Sequence, residues 1–215
     1  MTKPEMSQPK RMLDLFCGRG GWTNEFMARG WECVGVDLVR HPDYRGEFVQ
    51  ADVLDIEAGY LVGFNFICAS SPCEGFSVWG MRHFFPDPDY PKLGIELFNH
   101  TRGICEDAGI PYIMENVRAA QKFVGEAGAH CGPFYLWGSA IPLLVPQGII
   151  KGMTRKAHGF REYKGEPDWN RRQGMGARND KESAAKAATI PPELAHCVAD
   201  YAERLLEAAM STSER

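Results

Sequence analysis

Short apolar runs alternate along this chain with stretches of helical periodicity, and glycine or charged residues mark the joints. Arg11–Phe16 reads as a first strand, with a turn at Gly18–Gly21 behind it. Trp22–Arg29 has helical character and stops at Gly30, a residue free to take the positive φ of a helix C-cap. Cys33–Asp37 and Glu47–Val49 are the next two strands. Gly63–Ser70 is a fourth, apolar enough to be buried on both faces. Lys92–Ala108 is amphipathic, with Leu93, Leu97, Ile104 and Ala108 near one stripe, and Gly109 ends it. Pro111–Val117 is the fifth strand, and Phe134–Trp137 has strand character. From Ile141 to Asp180, Gly, Pro and charge dominate without a period. Pro191-Pro192-Glu193 then opens a last helix over about 190–208, with Leu194, Val198, Tyr201 and Leu205 on its apolar side. Proline suits a first turn because its missing N–H has no helical partner there. Strands alternating with helices predict crossover connections and an α/β fold, a doubly wound and mostly parallel sheet.

A length of 215 residues suits one domain spanning 1–215, with a small insertion at about 139–187. The composition, 44% hydrophobic and 24% charged, is that of a globular protein. No apolar run reaches membrane-spanning length, and Met1–Lys10 is polar without an apolar core, so the expectation is a cytoplasmic protein with no membrane partner. The seven cysteines are odd in number, scattered and free of any Cys-x-x-Cys pair, and the six histidines show no ligand spacing. Reduced thiols and no metal site are expected. A net charge of −4 argues against a generally basic nucleic-acid binder. The distribution changes that picture. Between Lys151 and Lys186 ten basic residues face five acidic ones, leaving +5 there and −9 in the remainder. With Phe160, Tyr163 and Trp169 interleaved, this stretch can lie against a polyanion or be a solvated loop.

The chemistry-bearing residues sit at strand ends. Asp14-Leu15-Phe16-Cys17-Gly18-Arg19-Gly20-Gly21 follows the first strand and opens the first helix, where glycines let backbone N–H groups approach a ligand. Asp37 closes the second strand, where a carboxylate can accept the ribose hydroxyls of a nucleoside cofactor. Asp52, just past the third strand, is placed to take an adenine amino group. No Gly-Lys-Ser/Thr loop is present, which disfavours a phosphate-cradling nucleotidase. Cys73 leaves the fourth strand in the turn Ser70-Ser71-Pro72-Cys73, a place where a thiol can be a nucleophile or a small buried hydrophobe. Glu115-Asn116-Val117 closes the fifth strand. A poor acceptor ring needs an acid partner before a thiolate adds to it, and a short crossover would set Glu115 beside Cys73.

The glycine loop, the Pro72-Cys73 turn with Phe76-Ser77, and Glu115-Asn116-Val117 together resemble the DNA (cytosine-5) methyltransferase family, in its short stand-alone bacterial and phage form. The resemblance spans about residues 11–138 and 188–207, the last helix lying where the family closes its cofactor pocket. It implies a Rossmann-like, S-adenosylmethionine-dependent methyltransferase fold in a bacterial or phage-infected cell. It implies S-adenosyl-L-methionine held by Phe16, Gly18, Gly20, Gly21, Asp37, Leu38, Asp52 and Val53. It implies methyl transfer to C5 of a cytosine flipped out of duplex DNA by a monomeric enzyme. Cys73 would add to C6 and Glu115 would bond the ring at N3, while Ser71, Pro72, Asn116, Arg118, Arg171 and Arg172 would contact or brace the substrate. The chain departs from the family pattern at Glu74, where Gln is usual, and in His130–Leu136, where a Gln-x-Arg-x-Arg motif is expected and no arginine stands. Arg118 and Arg82 are the candidate replacements. Arg19 stands either in solvent or against the methionine carboxylate, and a cofactor with an extra acid on its methyl group stays open. So do the same chemistry on tRNA or a free cytosine nucleotide, and an idle DNA-binding module.

Overall fold

The structure is a computed structural model that describes residues 9–77, 90–145 and 189–213. In chain order the strands are β1 (Arg11–Leu15), β2 (Glu32–Asp37), β3 (Glu47–Gln50), β4 (Phe66–Ser70), β5 (Tyr112–Val117), β6 (Ala129–Cys131) and β7 (Phe134–Trp137). The α-helices are α1 (Gly21–Ala28), α2 (Glu74–Ser77), α3 (Tyr90–Ala108), α4 (Gln121–Val124) and α5 (Pro192–Ser213). The strands form one sheet in the order β3-β2-β1-β4-β5-β7-β6. β1 to β5 are parallel, and β7 runs antiparallel to both β5 and β6. The order reverses between β1 and β4, so a crevice opens outside their carboxyl ends, where such sheets bind ligands.

The inner parallel strands β1, β2, β4 and β5 are short and apolar on both faces because helices cover both, while the edge strand β3 is only half-buried. One face carries Met12, Phe66, Ile113 and Leu136 under Trp22 and Phe26 of α1 and Leu194, Val198 and Ala202 of α5. The other carries Leu13, Val36, Ile67 and Met114 under Phe76 of α2 and Phe98 and Ile104 of α3. α1 begins after Gly20, whose φ of 78° is left-handed and which supplies no side-chain cap. It ends as its glycine signal suggests, with Gly30 at φ 76° and Trp31 N–H reaching back to the Phe26 carbonyl.

Several boundaries differ from the sequence reading. β4 starts at Phe66 rather than Gly63, because a 3-10 turn over Ala58–Leu61 and Gly63 at φ 95° delay the extended backbone. The buried stripe of α3 is rotated from the expected one: Leu93 is 48% exposed, while Phe98, Thr101 and Cys105 are fully buried. β6 was not foreseen, since Ala-His-Cys carries no strand pattern and depends on the hairpin partner β7. The last helix runs on to Ser213, past the expected 208. Residues 146–188, which hold most of the basic insertion with Arg171 and Arg172, lie outside the described residues, as does Arg82.

Candidate active site

The glycine loop joins β1 to α1 through a strained corner. Phe16 is the one described non-glycine residue with positive φ, at 59°, and Cys17 N–H holds to the Val36 carbonyl at 3.2 Å. Gly18 N–H donates to Asp37 Oδ2 at 3.0 Å, so the end of β2 and the loop are tied together. Leu38 and Val39, next to Asp37, are 59% and 72% exposed, an apolar shelf at the lip of the crevice. Asp52 caps the 3-10 turn Val53–Asp55, Oδ1 accepting from Leu54 N–H at 3.0 Å, with Val53 buried beneath it. Gly21 lets the loop meet the segment before α5: a Cβ there would lie 2.9 Å from the Ile190 backbone nitrogen. Phe16, Gly18, Gly20, Gly21, Asp37 and Leu38 therefore sit at neighbouring ends of β1 and β2, and Asp52 and Val53 just past β3. Arg19 pairs with Asp43 at 2.8 Å, and its buried Nε has no partner among the described residues.

A buried polar pair under this loop was missed by the sequence reading. Asp14 accepts a hydrogen bond from Thr23 Oγ1 at 2.7 Å, and that hydroxyl also meets the Tyr44 hydroxyl at 3.1 Å. The other Asp14 oxygen has no partner among the described residues. Burial pushes the Asp14 carboxyl from 3.8 up to about 7, with the Thr23 bonds pulling back part of the rise. Asp14 was visible in the loop sequence, but its burial depends on α1 landing over β1.

The second half of the site is built on β4 and β5. Their parallel register sets Ser70 opposite Glu115. The chain then turns through buried Ser71 and exposed Pro72 to Cys73, which is partly exposed. Asn116 is fully buried and its Nδ2 donates to the Ser71 carbonyl at 2.9 Å and to Ser71 Oγ at 3.0 Å. On the far side Phe76 N–H donates to the Cys73 carbonyl at 3.1 Å, and the Phe76 ring is buried edge-on to Phe98. The thiol-bearing turn is thus held from both sides. The remaining cysteines form no disulfide, and burial pushes Cys33, inside β2, up to about 12, an inert thiol. Glu115 is buried, and desolvation pushes its carboxyl from 4.5 up to about 8 while a hydrogen bond from Ser70 opposes the rise. At neutral pH this group keeps its proton and can donate. Arg118, one residue beyond the Glu-Asn-Val end, is exposed. His130 stacks on Tyr135 at 4.9 Å, and Tyr135 is in register with Asn116. Among the described residues no group of His, Cys, Asp and Glu could hold a metal ion, and no helix is long and apolar enough to cross a membrane.

A glycine loop followed by strand-end carboxylates, beside a Pro-Cys turn braced by a buried Glu-Asn pair, defines a Rossmann-like methyltransferase fold. Residues 10–125 match the family described as C-5 cytosine-specific DNA methylase, and the chain belongs to it. It is 29% identical over 114 residues to the type II methyltransferase M.HhaI of Haemophilus parahaemolyticus, covering 50% of this chain and 34% of that protein. It is 30% identical over 122 residues to the type II methyltransferase M.MspI of Moraxella sp, covering 54% of this chain and 28% of that one. Among solved structures, the Entamoeba histolytica methyltransferase EhMeth is similar at 16% identity and a TM-score of 0.38, covering 55% of this chain and 41% of that one. The chain spans about a third of the length of the curated relatives it matches.

Proposed function

We propose that this protein transfers a methyl group from S-adenosyl-L-methionine to C5 of a cytosine flipped out of duplex DNA, with Cys73 as nucleophile and Glu115 as the acid. The observation that supports the reading is the Asn116 brace on Ser71, two residues before Cys73, at the strand end where the β4–β5 register sets Ser70 opposite Glu115. The crevice fits the cofactor. The first turn of α1 has no side-chain cap, Asp37 offers a carboxylate and Leu38 an apolar face. Phe16, Gly18, Gly20, Gly21, Asp37, Leu38, Asp52 and Val53 would hold it. When bound, it supplies an electrophilic methyl group.

Cytosine resists addition at C6 until N3 is hydrogen-bonded or protonated. Glu115, neutral at pH 7, donates there as the Cys73 thiolate attacks C6, so charge builds at N3 against a waiting donor. The resulting enamine carbon C5 is the nucleophile that accepts the methyl group. Loss of the C5 proton to water then expels the thiolate, and the N3 proton returns to Glu115 as the aromatic ring is restored. Asn116 fixes the turn, so Cys73 meets the ring plane without reorganisation. Exposed Arg118 stands at the same strand end and supplies positive charge toward a phosphate.

The test is incubation with methyl-labelled cofactor and duplex DNA, followed by base-resolution mapping, with tRNA and free cytidine nucleotides as parallel acceptors. Label at C5 of cytosine in the duplex is expected, and duplex carrying 5-fluorocytosine should trap the protein covalently because fluorine blocks the elimination. Label in RNA or nucleotide alone would move the proposal to that substrate, and no label in any acceptor would end it.

A further inference from the structure

We propose that Trp22 and Ser70 form a hydrogen-bonded relay that positions the Glu115 carboxyl and ties it to the glycine loop. The functional weight of the relay rests on the reading of Glu115 as the acid that meets the base. Trp22 is the second residue of α1, directly behind Gly20-Gly21, and its side chain is 1% exposed. Its Nε1–H donates to Ser70 Oγ at 3.0 Å. An indole N–H can only donate, so it occupies an acceptor position of the hydroxyl and leaves the Ser70 O–H to donate onward. The β4–β5 register sets Glu115 directly opposite Ser70 on the same face, and its carboxyl is the recipient in the proposed relay. The direction is therefore set from one end: indole to hydroxyl to carboxyl.

A buried indole N–H usually finds some partner, so the Trp22–Ser70 bond alone would be ordinary. Here that partner stands opposite the acid in the sheet. Glu115 has the strand parity of Ile113, which faces the α1 side of the sheet. Titratable side chains packed on that face include Asp14 from β1, Cys33 from β2, Cys68 from β4, Cys131 from β6, Tyr201 from α5, and Tyr44 against Thr23. β7 contributes Phe134 and Leu136 there, and α5 contributes Leu194, Ala195, Val198, Ala199 and Ala202. None of these is a cation. Among the described residues, Ser70 is thus the polar group that orients the Glu115 carboxyl and offsets its loss of water. Because Trp22 follows the loop by one residue, a shift of the loop is transmitted to the acid through two hydrogen bonds. Ser70 and Trp22 are positioning residues; neither touches the reacting atoms.

The experiment uses the full chain labelled with nitrogen-15. The indole N–H signals come from five tryptophans, and Trp22→Phe assigns the relevant one. In the wild type this signal should move with pH, and Glu115→Gln should abolish the movement. In Ser70→Ala the Trp22 signal should lose its pH response, and the alkaline limb of the methyl-transfer profile should move up by about one unit, as expected when a hydrogen bond to a carboxylate is lost. Ser70→Thr should restore both. A Trp22 signal that still follows Glu115 in folded Ser70→Ala overturns the relay, and so does an unmoved alkaline limb. The spectrum decides the relay even if no acceptor is methylated, so failure of the relay and failure of the transfer reaction are seen separately.

Discussion

Replacing Glu115 by Gln keeps the side-chain shape and removes its charge, which separates the cost of a buried acid from its use. In the native state burial holds the carboxyl at about 8, against an ordinary value of 4.5 that the unfolded chain regains. Between those two values the unfolded chain ionises while the native protein keeps its proton. The native state then binds more protons, so stability falls as pH rises through that window. Below it both states are protonated, and above it both are ionised, so the contribution is flat on either side. At about 1.4 kcal/mol per pH unit, the change between pH 5 and pH 9 comes to roughly 4 kcal/mol. Glu115→Gln lacks this loss. Urea denaturation at several pH values should show the variant gaining on the wild type by that amount, since all other titrating groups cancel in the difference. The same variant should lose about two to four orders of magnitude in methyl transfer, because an amide cannot supply the proton. Parallel stability curves for the two proteins across this pH range would refute the burial argument and, with it, the neutral acid on which the chemistry depends.

Cys73→Ala should abolish transfer and the 5-fluorocytosine adduct while leaving cofactor affinity within about twofold, as read by calorimetry, because the thiol acts only on the base. Asp37→Ala should weaken cofactor binding by about 1.5–3 kcal/mol, or ten- to a hundredfold, and unchanged affinity would remove Asp37 from the ribose site. Gly21→Ala drives a methyl group to 2.9 Å from the Ile190 backbone nitrogen. The overpacking should cost about 1–3 kcal/mol in thermal or urea unfolding, and a neutral result would show that the segment before α5 yields freely. The sequence of residues 139–187 is rich in Gly, Pro and charge without a period, so methylation mapping should return a short target of about one to three base pairs, with binding that falls steeply as salt rises. A mapped site of four or more defined bases would count against that expectation.

The mostly parallel run of five strands and the placement of Asp37, Asp52, Cys73 and Glu115 at or just past strand ends were legible in the chain, because each feature is local. An apolar run of four to six residues ending in glycine or acid announces a buried parallel strand and its carboxyl end. The adjacency of β4 and β5 followed from one short crossover. What failed depended on rotation or register. The stripe through Leu93 has acceptable helical spacing, yet Phe98 and Cys105 pull the helix round, and an isolated pattern cannot report which of two near-equal stripes meets the sheet. β6 exists only through its pairing with β7. Ser70 reads as the end of a strand and Trp22 as the start of a helix; their hydrogen bond, and the position of Ser70 opposite Glu115, appear once register and helix placement are both fixed.

Asp14 and Glu115 lie on the same face of the sheet, and burial raises both carboxyls toward neutrality. Two acids held partly or wholly protonated in one interior weaken the fold at neutral pH, so apolar contacts on that face must offset them. The face is closed by α1 and α5 together, through Trp22 and Phe26 on one helix and Leu194, Val198 and Ala202 on the other. Ala195, Ala199 and Ala202 are all buried and allow close approach between these helices. Arg29, at the end of α1, locks the seam with Asp200 at 2.6 Å and Glu203 at 3.7 Å. α5 lies beyond residues 10–125, the stretch that matches the family, yet it supplies half the cover over the two acids. The same helix brings Ile190 against Gly21 and so fixes the loop from which Trp22 reaches Ser70. Glycine loop, buried acid and last helix are therefore linked through Trp22, Ser70 and Ile190. Burial on the face that α1 and α5 close raises the Glu115 carboxyl.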